Sequence, residues 1–102
     1  MASGASGGLG KRGVRANGRD IRELPLMRMA HEMWPEIEAE LGHPTGWEQV
    51  GHLQLYERHY DVGAAEARAW AQNEAGIPTH HLNRTTAREI EPGLSDVVLG
   101  AL

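Results

Sequence analysis

Residues 20–42, DIRELPLMRMAHEMWPEIEAELG, decide how the chain folds. Asp20, followed three residues later by Glu23, fits a capping box and places a helix N-terminus there. Leu26, Ala30, Met33, Trp34, Ile37 and Leu41 then recur at helical spacing until Gly42, a residue at ease in left-handed backbone, stops the run. The spacing predicts a helix over 21–41 with that stripe as its apolar face. Pro25 falls early, where a missing N–H costs little, whereas Pro35 deletes the bond to the His31 carbonyl and predicts a kink near Trp34.

Downstream of Gly42, Pro44 and Gly46 mark a turn, and Trp47–Tyr56 alternates as a strand does, with Gly51 at a bulge or bend. Residues 62–75 are alanine-rich and carry Ala67, Trp70, Ala71 and Ala75 on one side. Gly76-Ile77-Pro78 follows as a left-handed stop, an apolar cap contact and a breaker. That is a second helix. His80–Leu82 reads as a short strand, Thr86 with Glu89 as a capping box opening a short helix that ends at Pro92-Gly93, and Asp96–Leu102 as a last strand. This last run has no terminating signal, so a chain cut in mid-element is expected. Upstream of Asp20, six Gly and three larger apolar residues fit neither a period of 2 nor one of 3.6. The predicted organisation is a glycine-rich, flexible basic loop or tail over 1–20 and a small α+β unit over 21–102. The unit holds a long N-terminal helix, two further helices and a mixed or antiparallel sheet of about three short strands.

The core is thin. A chain of 102 residues that folds compactly buries roughly 65% of its extended surface. Here the apolar supply is ten Leu, four Ile and five Val with no Phe, while 13 Gly and the many Ala bury little area. Three short strands would also leave exposed edges unless more chain covers them. The absence of Cys excludes disulfide scaffolds, thiolate metal sites and cysteine nucleophiles. No stretch approaches the length of a membrane span and the N-terminus lacks the apolar heart of a signal peptide, which reads as a cytoplasmic protein without membrane contact. Residues 1–30 hold Lys11 and five Arg against Asp20 and Glu23, whereas residues 31–102 hold four Arg against twelve acids. The basic end suits phosphate and the remainder repels nucleic acid.

Most motif-like letters have plainer readings. Gly8-Leu9-Gly10-Lys11-Arg12-Gly13 satisfies GxGxxG, but no strand precedes it and no helix follows at once, as a dinucleotide fingerprint requires. A glycine-rich backbone approaching an anionic cofactor in another way stays open beside it. His31-Glu32 starts like a zinc helix, yet Pro35 stands where the second His belongs. His80 and His81 on a strand point to opposite faces. His43, His52 and His59 show no ligand spacing, and Ser3, Ser6 and Ser95 lack a nucleophile elbow. Glu32, Glu36, Glu38 and Glu40 form a solvated face, and Met27, Met29 and Met33 a helix stripe. Arg12, Arg15 and Arg19 lack nearby aromatic residues on which bases could stack, so nucleic-acid binding is not expected.

Several stretches taken in order resemble a family. Gly4-Ala5-Ser6-Gly7 leads to Gly13-Val14-Arg15; Arg22-Glu23-Leu24-Pro25-Leu26-Met27-Arg28 runs into His31-Glu32-Met33-Trp34-Pro35. Gly51-His52-Leu53-Gln54-Leu55, Glu89-Ile90-Glu91-Pro92-Gly93-Leu94-Ser95 and Val98–Leu102 follow. Together they are similar to the FAD-dependent amine and amino-acid oxidoreductases typified by D-amino-acid oxidase, glycine oxidase and the sarcosine oxidase β subunit.

The resemblance implies part of a larger FAD-binding and substrate-domain fold, starting after the opening βαβ unit of the dinucleotide-binding domain. It implies that Ser6, Gly7, Gly13 and Val14 contact the FAD cofactor, with Arg15 near the flavin or the substrate carboxylate, and it names no catalytic residue. The implied chemistry is hydride transfer from the carbon beside a substrate amine to the flavin, with a small secondary amine or amino acid as substrate, and the isolated chain is expected to be inactive. The other reading of the residues is a free-standing α+β interaction protein without enzymatic activity, covering its edges as a homodimer or through association with a missing domain.

Overall fold

The computed structural model describes residues 13–102. Asp20 opens the helical region as its spacing predicts, with backbone φ −55° and ψ 134° and its carboxylate accepting from the Arg22 amide at 2.8 Å. The reciprocal half of a capping box is replaced by Arg22 itself, whose Nε and Nη2 donate to the same carboxylate at 3.0 and 2.8 Å. This pairing holds the Asp20 carboxyl below its ordinary range. One 3₁₀ turn over Ile21–Glu23 passes into α1, Leu24–Leu41. Pro25 sits at its start, Pro35 lies within it, and Gly42 ends it at φ 63°.

The face of α1 that meets the core matches the expected stripe only in part: Ala30, Trp34 and Ile37 are half-buried, and the rest is shifted. Leu24 is completely buried with Ala16 and Ile77, and Met27 and Ala75 pack against them. Leu26, Met33 and Leu41 are exposed, at 63%, 56% and 67%. The reason lies in docking: in α1 only the first turn supplies a fully buried side chain, so the position of Ile77 and not apolar spacing selects the inward stripe. Farther along, Glu38 accepts from both the amide and the hydroxyl of Thr45 at 2.9 Å, and Trp47 stacks on Trp34 with ring centroids 6.4 Å apart. Trp34 and Glu38, four residues apart, share a face, and together they fold the 42–47 loop back on the helix.

α2 spans Asp61–Glu74 and closes in a Schellman motif. The Gly76 amide (φ 85°) donates to Asn73 and the Ile77 amide to the Gln72 carbonyl at 3.0 and 2.9 Å. Its buried positions are Ala65, Ala69 and Gln72, while Trp70, expected on the inner side, is 68% exposed. Small alanines let the helix approach Leu102 and Tyr56 closely, an approach a tryptophan on that face would block.

The sheet is antiparallel and three-stranded: β1 (Leu55–Tyr56) and β2 (Leu82–Asn83) flank β3 (Gly100–Ala101). The strands are shorter than predicted. Trp47–Gln54 is irregular, with Gly46 and Gly51 at φ 74° and 86°, and Ser95–Val98 forms a turn. Reciprocal Gln54–Leu102 backbone bonds at 2.9 Å extend the β1–β3 ladder. Gly100 is required where it stands, because a Cβ there would overlap the Leu82 carbonyl and the Tyr56 phenol. α3 covers Arg84–Ile90 and is capped by Asn83, whose side chain accepts from Thr86 at 2.9 Å. The helix therefore starts two residues before the expected Thr86 box, since the Asn83 oxygen already satisfies that amide.

A buried polar side chain links these parts. Gln72 has no exposed surface; its Oε1 accepts from the Gly18 amide at 3.1 Å, and its Nε2 donates to Thr79 Oγ1 at 3.0 Å and Asn17 Oδ1 at 3.3 Å. Asn73 clamps the same loop, accepting from the Thr79 amide and donating to its carbonyl at 2.8 Å each. Gln72→Leu leaves these partners of a buried amide unpaired and is expected to lower unfolding free energy in urea by roughly 2–4 kcal/mol, against less than about 0.5 for exposed Trp70→Ser. The Glu38 carboxyl is held below its ordinary range by its bonds to the Thr45 amide and hydroxyl. A depressed folded value means the contact stabilises above the unfolded glutamate range and is lost as pH falls through the folded one. Hydrogen exchange at Thr45, corrected for its intrinsic pH dependence, should lose protection on acidification, and Glu38→Gln should flatten that response.

Candidate functional site: the glycine–arginine edge at residues 13–19

The segment following residue 12 is fixed by one buried methyl and one turn. Ala16 is 1% exposed in the cluster with Leu24 and Ile77, and Arg19 N–H donates to the Ala16 carbonyl at 3.1 Å across Asn17-Gly18. Gly18, at φ 77°, supplies the positive φ that a type II turn needs at its third position. A Cβ at Gly18 would run into the Gln54 side chain. Around the turn, Asn17 Nδ2 donates to the Leu102 carbonyl at 2.7 Å and to that of His52 at 3.3 Å, and Arg68 Nη1 donates to the Arg19 carbonyl at 2.6 Å. α2, the loop before β1 and the residue after β3 therefore all hold this short stretch.

Immediately before the anchor, Gly13, Val14 and Arg15 are exposed. Of the expected cofactor contacts, Gly13, Val14 and Arg15 are consecutive and exposed, and Ser6 and Gly7 lie outside the described residues. Among the described residues nothing lies within 4 Å of a Cβ built on Gly13. Likewise, among the described residues none accepts from the amides of residues 13–15. Arg15 Nη1 donates to the Asn17 carbonyl at 2.7 Å, and Arg19 Nε reaches the Arg15 carbonyl at 3.4 Å, so two guanidinium groups are held along the edge. Open amides beside fixed cations form an anion-receptive surface, which fits the phosphate-bearing part of a dinucleotide cofactor.

A cleft of about 300 Å³ adjoins the turn, lined by Gln54, Leu55, Asp61, Ala65, Arg68 and Leu102 among others. It lies at the small end of ligand sites. Asp61 and Arg68 give its walls one charge of each sign, the complement of a small zwitterion. Among the described residues no group of three His, Asp or Glu is placed to hold a metal ion, and no helix is long and apolar enough to cross a membrane.

Sequence reasoning missed the clamp behind the edge. Asn17-Gly18 carries a turn signal in its letters. Gln72 and Arg68, inside an alanine-rich helix, carry none, because their roles depend on which chain segment lies opposite. The two glycines of the segment should separate cleanly in thermal melts. Gly18→Ala, forced into left-handed backbone against Gln54, is expected to cost roughly 1–3 kcal/mol, whereas Gly13→Ala stays within about 0.5 kcal/mol. An equal loss at both positions would contradict the division between a structural and an open glycine.

A family model described as FAD dependent oxidoreductase, DAO, matches residues 1–102. No curated protein and no solved structure matches the chain. With its full length matched, the chain belongs to the DAO family of FAD-dependent oxidoreductases.

Proposed function

We propose that this chain serves the oxidation of a small secondary amine or amino acid, in the manner of the sarcosine oxidase β subunit, by supplying one wall of the FAD site. The observation that carries the reading is the exposed Gly13–Val14–Arg15 edge, rigidly backed by the Asn17–Gln72 clamp. Such an edge presents backbone donors and a guanidinium to an anionic cofactor without reorganising on binding, the condition under which hydrogen bonds to phosphate are most effective. FAD, when bound, supplies the hydride acceptor; the protein's part is to hold and orient. Arg15 and the open amides would hold the cofactor, together with Ser6 and Gly7. The neighbouring cleft, with Asp61 and Arg68 on its walls, supports a small zwitterionic substrate.

Among the described residues no strand–glycine turn–helix unit of the dinucleotide-binding type occurs. We therefore expect these 102 residues to be inactive without such a unit. Titration of FAD into the 102-residue chain, followed through the fluorescence of its three tryptophans, should show no saturable binding at micromolar concentration. The same residues joined behind a strand–GxGxxG–helix unit should bind FAD, and N-methyl amino acids should bleach the flavin. Arg15→Ala in that longer polypeptide should weaken FAD binding by roughly tenfold. Tight binding by the short chain, or no bleaching by any secondary amine or amino acid in the long one, would overturn the proposal.

A further inference from the structure

We propose that a second cleft, lined by Tyr56, His59, Val62, His81, Arg84 and Leu99, is a binding site for a short-chain monocarboxylate. The inference does not rest on the flavin reading. The cleft is a shallow, open depression of about 520 Å³ between the β1 and β2 edges of the sheet and the start of α2.

Its polar wall carries a Tyr56–His81 hydrogen bond with the Glu66 carboxylate beyond it. Tyr56 Oη and His81 Nε2 are 2.6 Å apart, and on the far side of the imidazole His81 Nδ1 lies 3.8 Å from Glu66 Oε1 on α2. A carboxylate on that side favours a proton on Nδ1, which leaves Nε2 to accept from the Tyr56 hydroxyl. Burial, with Glu66 nearby, raises the Tyr56 phenol above its ordinary value, so the hydroxyl keeps a proton to donate. Gly100 permits the arrangement, since any larger residue there would displace the phenol.

Arg84 supplies the permanent cation. Its Nε donates to the Val98 carbonyl at 3.1 Å, which orients the guanidinium plane; among the described residues its terminal nitrogens have no further hydrogen-bond partner. A planar fork matches a carboxylate in bidentate geometry. Val62 and Leu99 add an apolar wall suited to a short aliphatic body. The Glu66 carboxylate behind His81 opposes a second negative charge, which favours a monoanion.

The test is titration of the 102-residue chain with sodium butanoate, followed by amide and imidazole NMR shifts. Saturable shifts should cluster at His59, His81, Asn83 and Thr85, which line the cleft. Arg84→Gln and Tyr56→Phe should each weaken binding by roughly tenfold, and Arg84→Lys, which keeps the charge without the fork, by an intermediate factor. Inorganic phosphate, titrated in parallel into the unaltered chain, should bind at least roughly tenfold more weakly. No saturable butanoate binding by the unaltered chain, equal affinity for phosphate, or full affinity in a folded Arg84→Gln chain would overturn the proposal.

Discussion

The structure depends on one fully buried amide side chain. Gln72 satisfies the Gly18 amide on one side and the Asn17 and Thr79 side chains on the other. An unmade hydrogen bond in such a place costs far more than a made one contributes, so the arrangement tolerates little change. Because Gln72 also stands at the first position of the Schellman motif, its carbonyl fixes Ile77 while its side chain fixes the turn before α1. The two apolar clusters, around Leu24 and around Leu102, are each too small to hold a fold. The polar clamp joins them.

That dependence explains how so little apolar material holds the exposed Gly13–Arg15 edge in place. An open backbone cannot also be pinned by its own packing. The pinning is displaced to Ala16–Arg19, where a buried methyl, a glycine turn and bonds from Asn17, Gln72 and Arg68 do the holding. Rigidity one residue away from exposure is how a short loop can be preorganised for a ligand. On the other side of β1, Gly100 plays the corresponding part for Tyr56, giving up a side chain in the central strand so that a phenol can reach His81.

Element type was largely legible in the letters, whereas element facing was not. Asp20, Gly42, and Gly76 with Ile77 mark boundaries by local chemistry, and each does so in the fold. Local chemistry also explains the strand errors: positive φ at Gly46 and Gly51 breaks the alternation that Trp47–Tyr56 promised. For α1, helical periodicity identified an apolar stripe, but its members Leu26, Met33 and Leu41 face outward. Period is a property of one helix; the inward face is a property of what docks on it. The expected site residues fared similarly. Gly13, Val14 and Arg15 stand together, while the residues that hold them, Asn17, Gln72 and Arg68, come from segments about 50 positions apart.

The sequence by itself determined the α+β class, the helix boundaries set by caps and glycine stops, the cationic glycine-rich character of the early segment, and membership of the FAD-dependent oxidoreductase family. These are decided by a few neighbouring residues, or by their order, and survive any change of packing. Only the tertiary structure decided which helix faces are buried, that Gln72 joins α2 to the Asn17-Gly18 turn, and that Tyr56 meets His81 beside Glu66. Those relations join residues distant in the chain, and hydrogen bonds act over about 3 Å. No spacing along the sequence can encode a proximity that exists only once the chain has closed on itself.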